Sequence, residues 1–287
     1  MNKKILITLS SMLAICVAAQ NIVKKCKECG KPIASCQYKG KHPTKPVSSP
    51  HLGNNGQTVH PDYSQLKIGD YFYSDGTVSR VKKNSPQPVG VVFSLNPSDN
   101  EKKRGWTHGY IMALSDAKKG RCEWGPYKDV LEIPNVDVNY NDEAQQLVLI
   151  QDYSGYEYSR SSIVKSSNGN AYAYARNYPQ KLPGSTSGWF LPSVGQWCDI
   201  IKNIGRGKIV IKGGAIGFDC NIVLPNLAKY DLGTDEDYSS YWTSNESTDI
   251  HAWMVVLHQQ ANDGKYENIY SINKQTTRMR VRAIAAF

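Results

Sequence analysis

The chain has 287 residues, with 34 Lys or Arg against 25 Asp or Glu for a net charge of +9, and 40% of its residues are hydrophobic. That apolar share is ample for a core, and the modest positive charge suits either anionic partners such as acidic glycans or ordinary solubility. No nucleic-acid-binding motif accompanies it, so no nucleic-acid partner is expected.

At the N-terminus, Lys3 and Lys4 precede an apolar run from Ile5 to Ala19, and Val17 to Ala19 offers small residues before Gln20. This is the pattern of a signal peptide, residues 1–19, cleaved before Gln20. The run is too short to span a bilayer comfortably. A lipoprotein reading would acylate Cys16, although Ile15 stands where a small residue is preferred, and membrane association is expected only in that case. Cleavage removes two lysines and no acids, leaving 32 basic and 25 acidic residues, a net +7.

Residues 20–44 contain "CKECGKPIASCQYKGKHP", in which Cys26, Cys29, Cys36 and His42 have the spacing C-x2-C-x6-C-x5-H. Two cysteines two residues apart suit a chelating knuckle, and a tetrahedral Zn2+ would take the other two ligands from the following loop. A segment this small and polar has little to bury, whereas zinc supplies folding free energy directly. The zinc would be structural, since four protein ligands leave no open position. Disulfides are the competing reading in an oxidising exterior, and the six cysteines left after cleavage do not decide between them. Residues 45–65, rich in Pro, Ser, Gly and Asn, read as a linker to one large domain over residues 66–287.

In that domain, "YFY" (Tyr71–Tyr73) reads as a strand ending at a Ser74-Asp75-Gly76 turn. "PVGVVFSL" (Pro88–Leu95) and "HGYIMALSDA" (His108–Ala117) read as buried strands joined by a charged loop, "NPSDNEKKRG". "NGNAYAYARNYP" reads as a short helix stopped before Pro179. "LPSVGQWCDIIKNIG" is a clearer helix: Ser193 and Gln196 form a capping box, and Gly205 ends it. Its core face is Val194, Trp197, Cys198, Ile201 and Ile204. Cys198 is accordingly a buried, inert thiol. Cys220 is placed in a loop, and "GRGKIVIKGG" reads as a hairpin. Strands follow in "YWTSNESTDIHAWMVVL" and "TRMRVRAIAAF", separated by the polar loop "HQQANDGKYEN". The acids Asp235, Glu236 and Asp237 read as an exposed loop.

The series "GWFLPSVGQW", "YWTSNE", "AW" and "RVRAI", with "GDYFYSDGT", "VGVVF" and "GYIMALSDA" upstream, resembles the bacterial domain family named for the C-terminal domain of the Lcl collagen-like adhesin, which has a C-type-lectin-like fold. The resemblance covers about residues 66–287. It implies an α+β domain with its first and last strands paired, two helices and long loops. It also implies binding, with the variable site of related folds falling between Trp242 and Trp253. The "EPN", "QPD" and "WND" motifs of calcium-dependent lectins are missing, so no calcium site is expected.

The functional expectation is an exported ligand-binding or adhesive protein, located in the periplasm, at the cell surface or in the medium, with a glycan or protein ligand. The alternative is an extracytoplasmic enzyme on the same fold. No nucleophile elbow or phosphate loop is found, and no catalytic residues are assigned. Ser244, Asn245, Glu246, Asp249 and His251, with Asn262 and Asp263, are expected to form the ligand surface, as polar loops anchored by Tyr241, Trp242, Ala252 and Trp253. Tyrosines in "DYSGYEYSR" would either stack on a ligand or be ordinary loop residues.

Overall fold

The structure is a computed structural model that describes residues 51–52, 58–59, 61–137, 142–166, 168–212, 215–233, 239–257 and 268–287, all within one compact unit, Lys45–Phe287. The expected signal peptide, the Cys26, Cys29, Cys36 and His42 clip, the Asp235 to Asp237 cluster, and Asn262 and Asp263 lie outside the described residues.

The architecture is α+β, with short helices and two five-stranded antiparallel sheets. A two-stranded pair, β1 (His51–Leu52) with β2 (Thr58–Val59), precedes them. The first sheet contains β3 (Tyr71–Tyr73), β4 (Val78–Ser79), β5 (Pro88–Ser94), β6 (Tyr110–Ala113) and β12 (Ile284–Ala286), in the order β12-β6-β5-β3-β4. The second contains β7 (Val210–Lys212), β8 (Ala215–Gly217), β9 (Ser240–Glu246), β10 (His251–Val256) and β11 (Ile269–Asn273), in the order β7-β8-β11-β10-β9.

The central strands of both sheets are covered on two faces, and strand alternation makes this visible. Tyr241, Trp253 and Val255 pack into one apolar cluster, while Trp242, Met254 and Val256 pack into the other. All six tryptophans are buried, none more than 5% exposed. They are core material.

The predicted helix forms as α6 (Val194–Asp199), with the Ser193 N–H donating to Gln196 Oε1 at 2.9 Å, and runs on as a π turn over Ile200–Ile204. Its five predicted core residues are buried. Gly195 permits close docking, because a Cβ there would stand 2.4 Å from the Asp152 carbonyl oxygen. Cys198 is free and buried, and desolvation pushes its thiol up to about 12.

Four expectations are corrected. The terminal strands share a sheet but are not neighbours: β12 pairs with β6, and β5 and β6 separate it from β3. Instead, the ends of the domain approach through side chains, the Tyr63 and Phe287 rings lying 5.3 Å apart. Seven α-helical segments, rather than two helices, occur among the described residues. The charged loop contains α1 (Asp99–Lys103), whose N-cap Ser98 accepts from the Glu101 N–H. Cys220 opens α7 (Cys220–Leu227), capped by Asp219.

Candidate functional site

The residues expected to form an exposed recognition loop are mostly interior. Ser244, Asn245 and Glu246 belong to β9 and are at most 1% exposed. Asn245 Oδ1 accepts the Val194 N–H at 2.8 Å, and its Nδ2 donates to Asp152 Oδ2 at 2.5 Å, so it ties the start of α6 to the Asp152 turn. Glu246 accepts the Val130 N–H at 3.1 Å and pairs with Lys274, both side chains being fully buried. Lys274 Nζ also donates to the Asp249 carbonyl at 2.8 Å and the Lys128 carbonyl at 3.2 Å, and lies 4.8 Å from the Trp124 ring. A buried polar group is tolerated where its partners are present; the Asn245 and Glu246 side chains are staples, Ser244 is bonded through its backbone to Pro192 and Tyr172, and the placement of all three in a solvent loop is corrected. Asp249 remains exposed in the β9–β10 turn, and His251 is half-buried, its Nδ1 3.1 Å from Thr248 Oγ1.

A concave site is found elsewhere, at the end of β5. A pocket of about 490 Å³ lies between Ser94 to Ser98, Tyr153 and the α6 π turn, with Ile68 on its wall. Its fixed point is Asp199, 8% exposed. Ser94 Oγ donates to Asp199 Oδ2 at 2.9 Å, the Tyr153 hydroxyl donates to Oδ1 at 2.9 Å, and Lys202 Nζ lies 3.2 Å from Oδ1. Burial, then the charge of Asp199, raises the Tyr153 phenol, which therefore stays a proton donor at neutral pH.

Three local features build this geometry. Asp199 and Asn203 are four residues apart, on the side of the helix opposite its core face, and both line the pocket. The intervening π turn is a rare conformation that often marks functional positions. Gly109 lets β6 begin against the end of β5, since a Cβ there would stand 2.2 Å from the Ser94 carbonyl oxygen.

Two carboxamides remain open to a ligand. Asn203 Nδ2 donates to the Phe93 carbonyl at 2.9 Å, while no protein donor among the described residues reaches its Oδ1. Asn96 is exposed, and its side chain makes no hydrogen bond among the described residues. The pocket thus offers carboxamide donors and acceptors, a carboxylate with spare lone pairs and the Tyr153 ring.

Behind its wall, Glu101 is 0% exposed and accepts the Ser98 hydroxyl, with Oε1 left without a partner among the described residues. Burial, with the Glu157 carboxylate adding to it, pushes Glu101 up to about 7. Among the described residues, no group of three or more His, Cys, Asp or Glu could hold a metal, and no helix is long and apolar enough to cross a membrane.

Of this pocket, sequence reasoning reached Tyr153 alone, as one of the candidate stacking tyrosines. Asp199 and Asn203 carried a signal in being polar on the side of the helix opposite its core face. Ser94 and Asn96 carried none.

No protein-family model matches the chain, and no curated protein matches it. Among solved structures it is similar to a fimbrial protein from Bacteroides ovatus ATCC 8483, with 15% identity and a TM-score of 0.49. The match covers 77% of this chain and 49% of that protein, so the chain spans about half of that protein's length. Such a likeness carries no weight for function, which rests on the geometry of the site.

Proposed function

We propose that this chain is an exported ligand-binding protein, adhesive or displayed outside the cytoplasm, and that it binds a glycan in the Asp199 pocket. The observation that carries the reading is the pocket itself: about 490 Å³, with Asp199 held by Ser94 and Tyr153 while Asn96 and the Asn203 Oδ1 stay open. Sugar hydroxyls both donate and accept, so they match carboxamides and a carboxylate, and a ring face complements their apolar side. The size falls within the usual range for small-ligand sites.

Asp199 is already engaged by two hydroxyls and Lys202, an arrangement suited to orienting a ligand, so we assign binding rather than catalysis. Export is proposed from Lys3, Lys4 and the apolar run to Ala19. A C-type-lectin-like scaffold of the Lcl C-terminal type is proposed from "GWFLPSVGQW", "YWTSNE" and "RVRAI". A structural zinc on Cys26, Cys29, Cys36 and His42 is proposed from their spacing.

A glycan array probed with the mature chain tests the reading. Retention of a defined set of saccharides is expected; signal at background on every saccharide would overturn it.

A further inference from the structure

The polar groups that line the Asp199 pocket are divided unevenly between donors and acceptors. Its three side-chain hydroxyls all donate into protein carboxylates: Ser94 Oγ to Asp199 Oδ2 at 2.9 Å, the Tyr153 hydroxyl to Asp199 Oδ1 at 2.9 Å, and Ser98 Oγ to the buried Glu101. A hydroxyl whose proton is engaged in this way offers a ligand lone pairs only. Asp199 is itself an acceptor, and so is the Asn203 Oδ1, whose amide is oriented by the bond from Nδ2 to the Phe93 carbonyl at 2.9 Å. The side-chain donor left open is chiefly the Asn96 carboxamide, which is exposed and makes no hydrogen bond among the described residues.

Two apolar side chains complete the lining that a ligand can reach. Leu95, immediately after β5, is 40% exposed, and Ile68 is half-buried, the rest of its side chain packing against the core. A single exposed leucine is ordinary. Beside two open carboxamides, however, Leu95 and Ile68 define a place for a small group that is polar on one side and apolar on the other.

We propose that the group recognised in this pocket is the N-acetyl group of an acetamido sugar, an inference that rests on the glycan reading of the same pocket. The acetamido N–H would donate to the Asn203 Oδ1, and its carbonyl would accept from the Asn96 Nδ2, each amide supplying what the other lacks. Its methyl would lie on Leu95 and Ile68, where removing apolar surface from water favours binding. A plain hydroxyl in that position satisfies the acceptors but leaves both apolar side chains in water. A free amine fails for another reason: as an ammonium it would meet the like charge of Lys202, whose Nζ lies 3.2 Å from Asp199 Oδ1 and already balances that carboxylate.

Matched methyl glycosides test this, titrated into the whole mature chain by calorimetry: the 2-acetamido, 2-hydroxy and 2-amino sugars of both the gluco and the galacto series. In at least one series the acetamido sugar is expected to bind at least tenfold more tightly than both of its counterparts, a difference of about 1.4 kcal/mol. Leu95→Ser, at an exposed position, is expected to narrow that ratio, with a thermal melt reporting on its fold. Equal affinity for the acetamido and hydroxy sugars, tighter binding of the amine, or an unaltered ratio in the folded variant would overturn the inference and leave the glycan reading standing. No binding of either acetamido sugar would overturn it as well, and the glycan reading falls with it only where the array is at background on every saccharide.

Discussion

Single residues set the limits of the Asp199 pocket. Gly109 is required by a close approach, so Gly109→Ala is expected to push β6 away from Ser94 and lower the melting temperature, a backbone clash that no rotamer relieves. Glu101 makes stability depend on pH, and the sign follows from its raised value. In the unfolded chain the carboxyl titrates near 4.5, and in the folded protein near 7. Between those values the folded state keeps a proton that the unfolded state has lost. Stability is therefore highest below about pH 4.5 as far as this group is concerned, falls as pH rises toward 7, and stays lower above it. The full effect is about 3 kcal/mol at most. Thermal melts from pH 5 to pH 8 are expected to show this decline in the wild type and a flatter profile in Glu101→Gln, and identical slopes would refute the assignment.

Elements differ in how legible they were. The start of α6 and its core face were readable, though not the π turn over Ile200–Ile204, because the capping box and the 3.6 period are both local signals, and β5 and β6 were readable as apolar runs. α1 was missed because five polar residues carry no apolar period; its Ser98 cap was the one available signal. β9 misled most. "TSNE" has the composition of a loop, yet Thr243 to Glu246 are interior, and the partners of Asn245 and Glu246 at Asp152, Val130 and Lys274 come from other parts of the chain. Sequence shows polarity but not the remote group that satisfies it. The pocket was obscured for the same reason, as Ser94 and Asp199 are 105 residues apart. The corrected role of β9 gives a sharp expectation. Asn245→Ala orphans the Val194 N–H and leaves Asp152 Oδ2 with the Tyr158 hydroxyl in place of two donors, and should destabilise by about 1–3 kcal/mol. Asp249→Ala, at an exposed turn position in the same hairpin, should stay within about 0.5 kcal/mol. Chemical denaturation of the two variants checks the contrast, and equal effects would count against it.

For the whole molecule, two sheets whose central strands are buried give a rigid frame, with a polar pocket at the end of β5. A frame of this kind holds recognition groups in place before a ligand arrives, which lowers the entropy lost on binding. The proposed zinc clip is an independent matter. Elemental analysis of the mature chain is expected to find one zinc per chain, and a disulfide mapped to Cys26, Cys29 or Cys36 with no metal present would contradict it. The central claim is that the Asp199 pocket binds a glycan, and calorimetric titration with the strongest saccharide from the array tests it most directly when wild type is compared with Asn96→Ala Asn203→Ala. The Asn96 side chain makes no hydrogen bond among the described residues, and Asn203 gives up one part-buried hydrogen bond to the Phe93 carbonyl. The account predicts a loss of affinity of at least tenfold, about 1.4 kcal/mol, with the melting temperature nearly unchanged; equal affinity in the two proteins would contradict it.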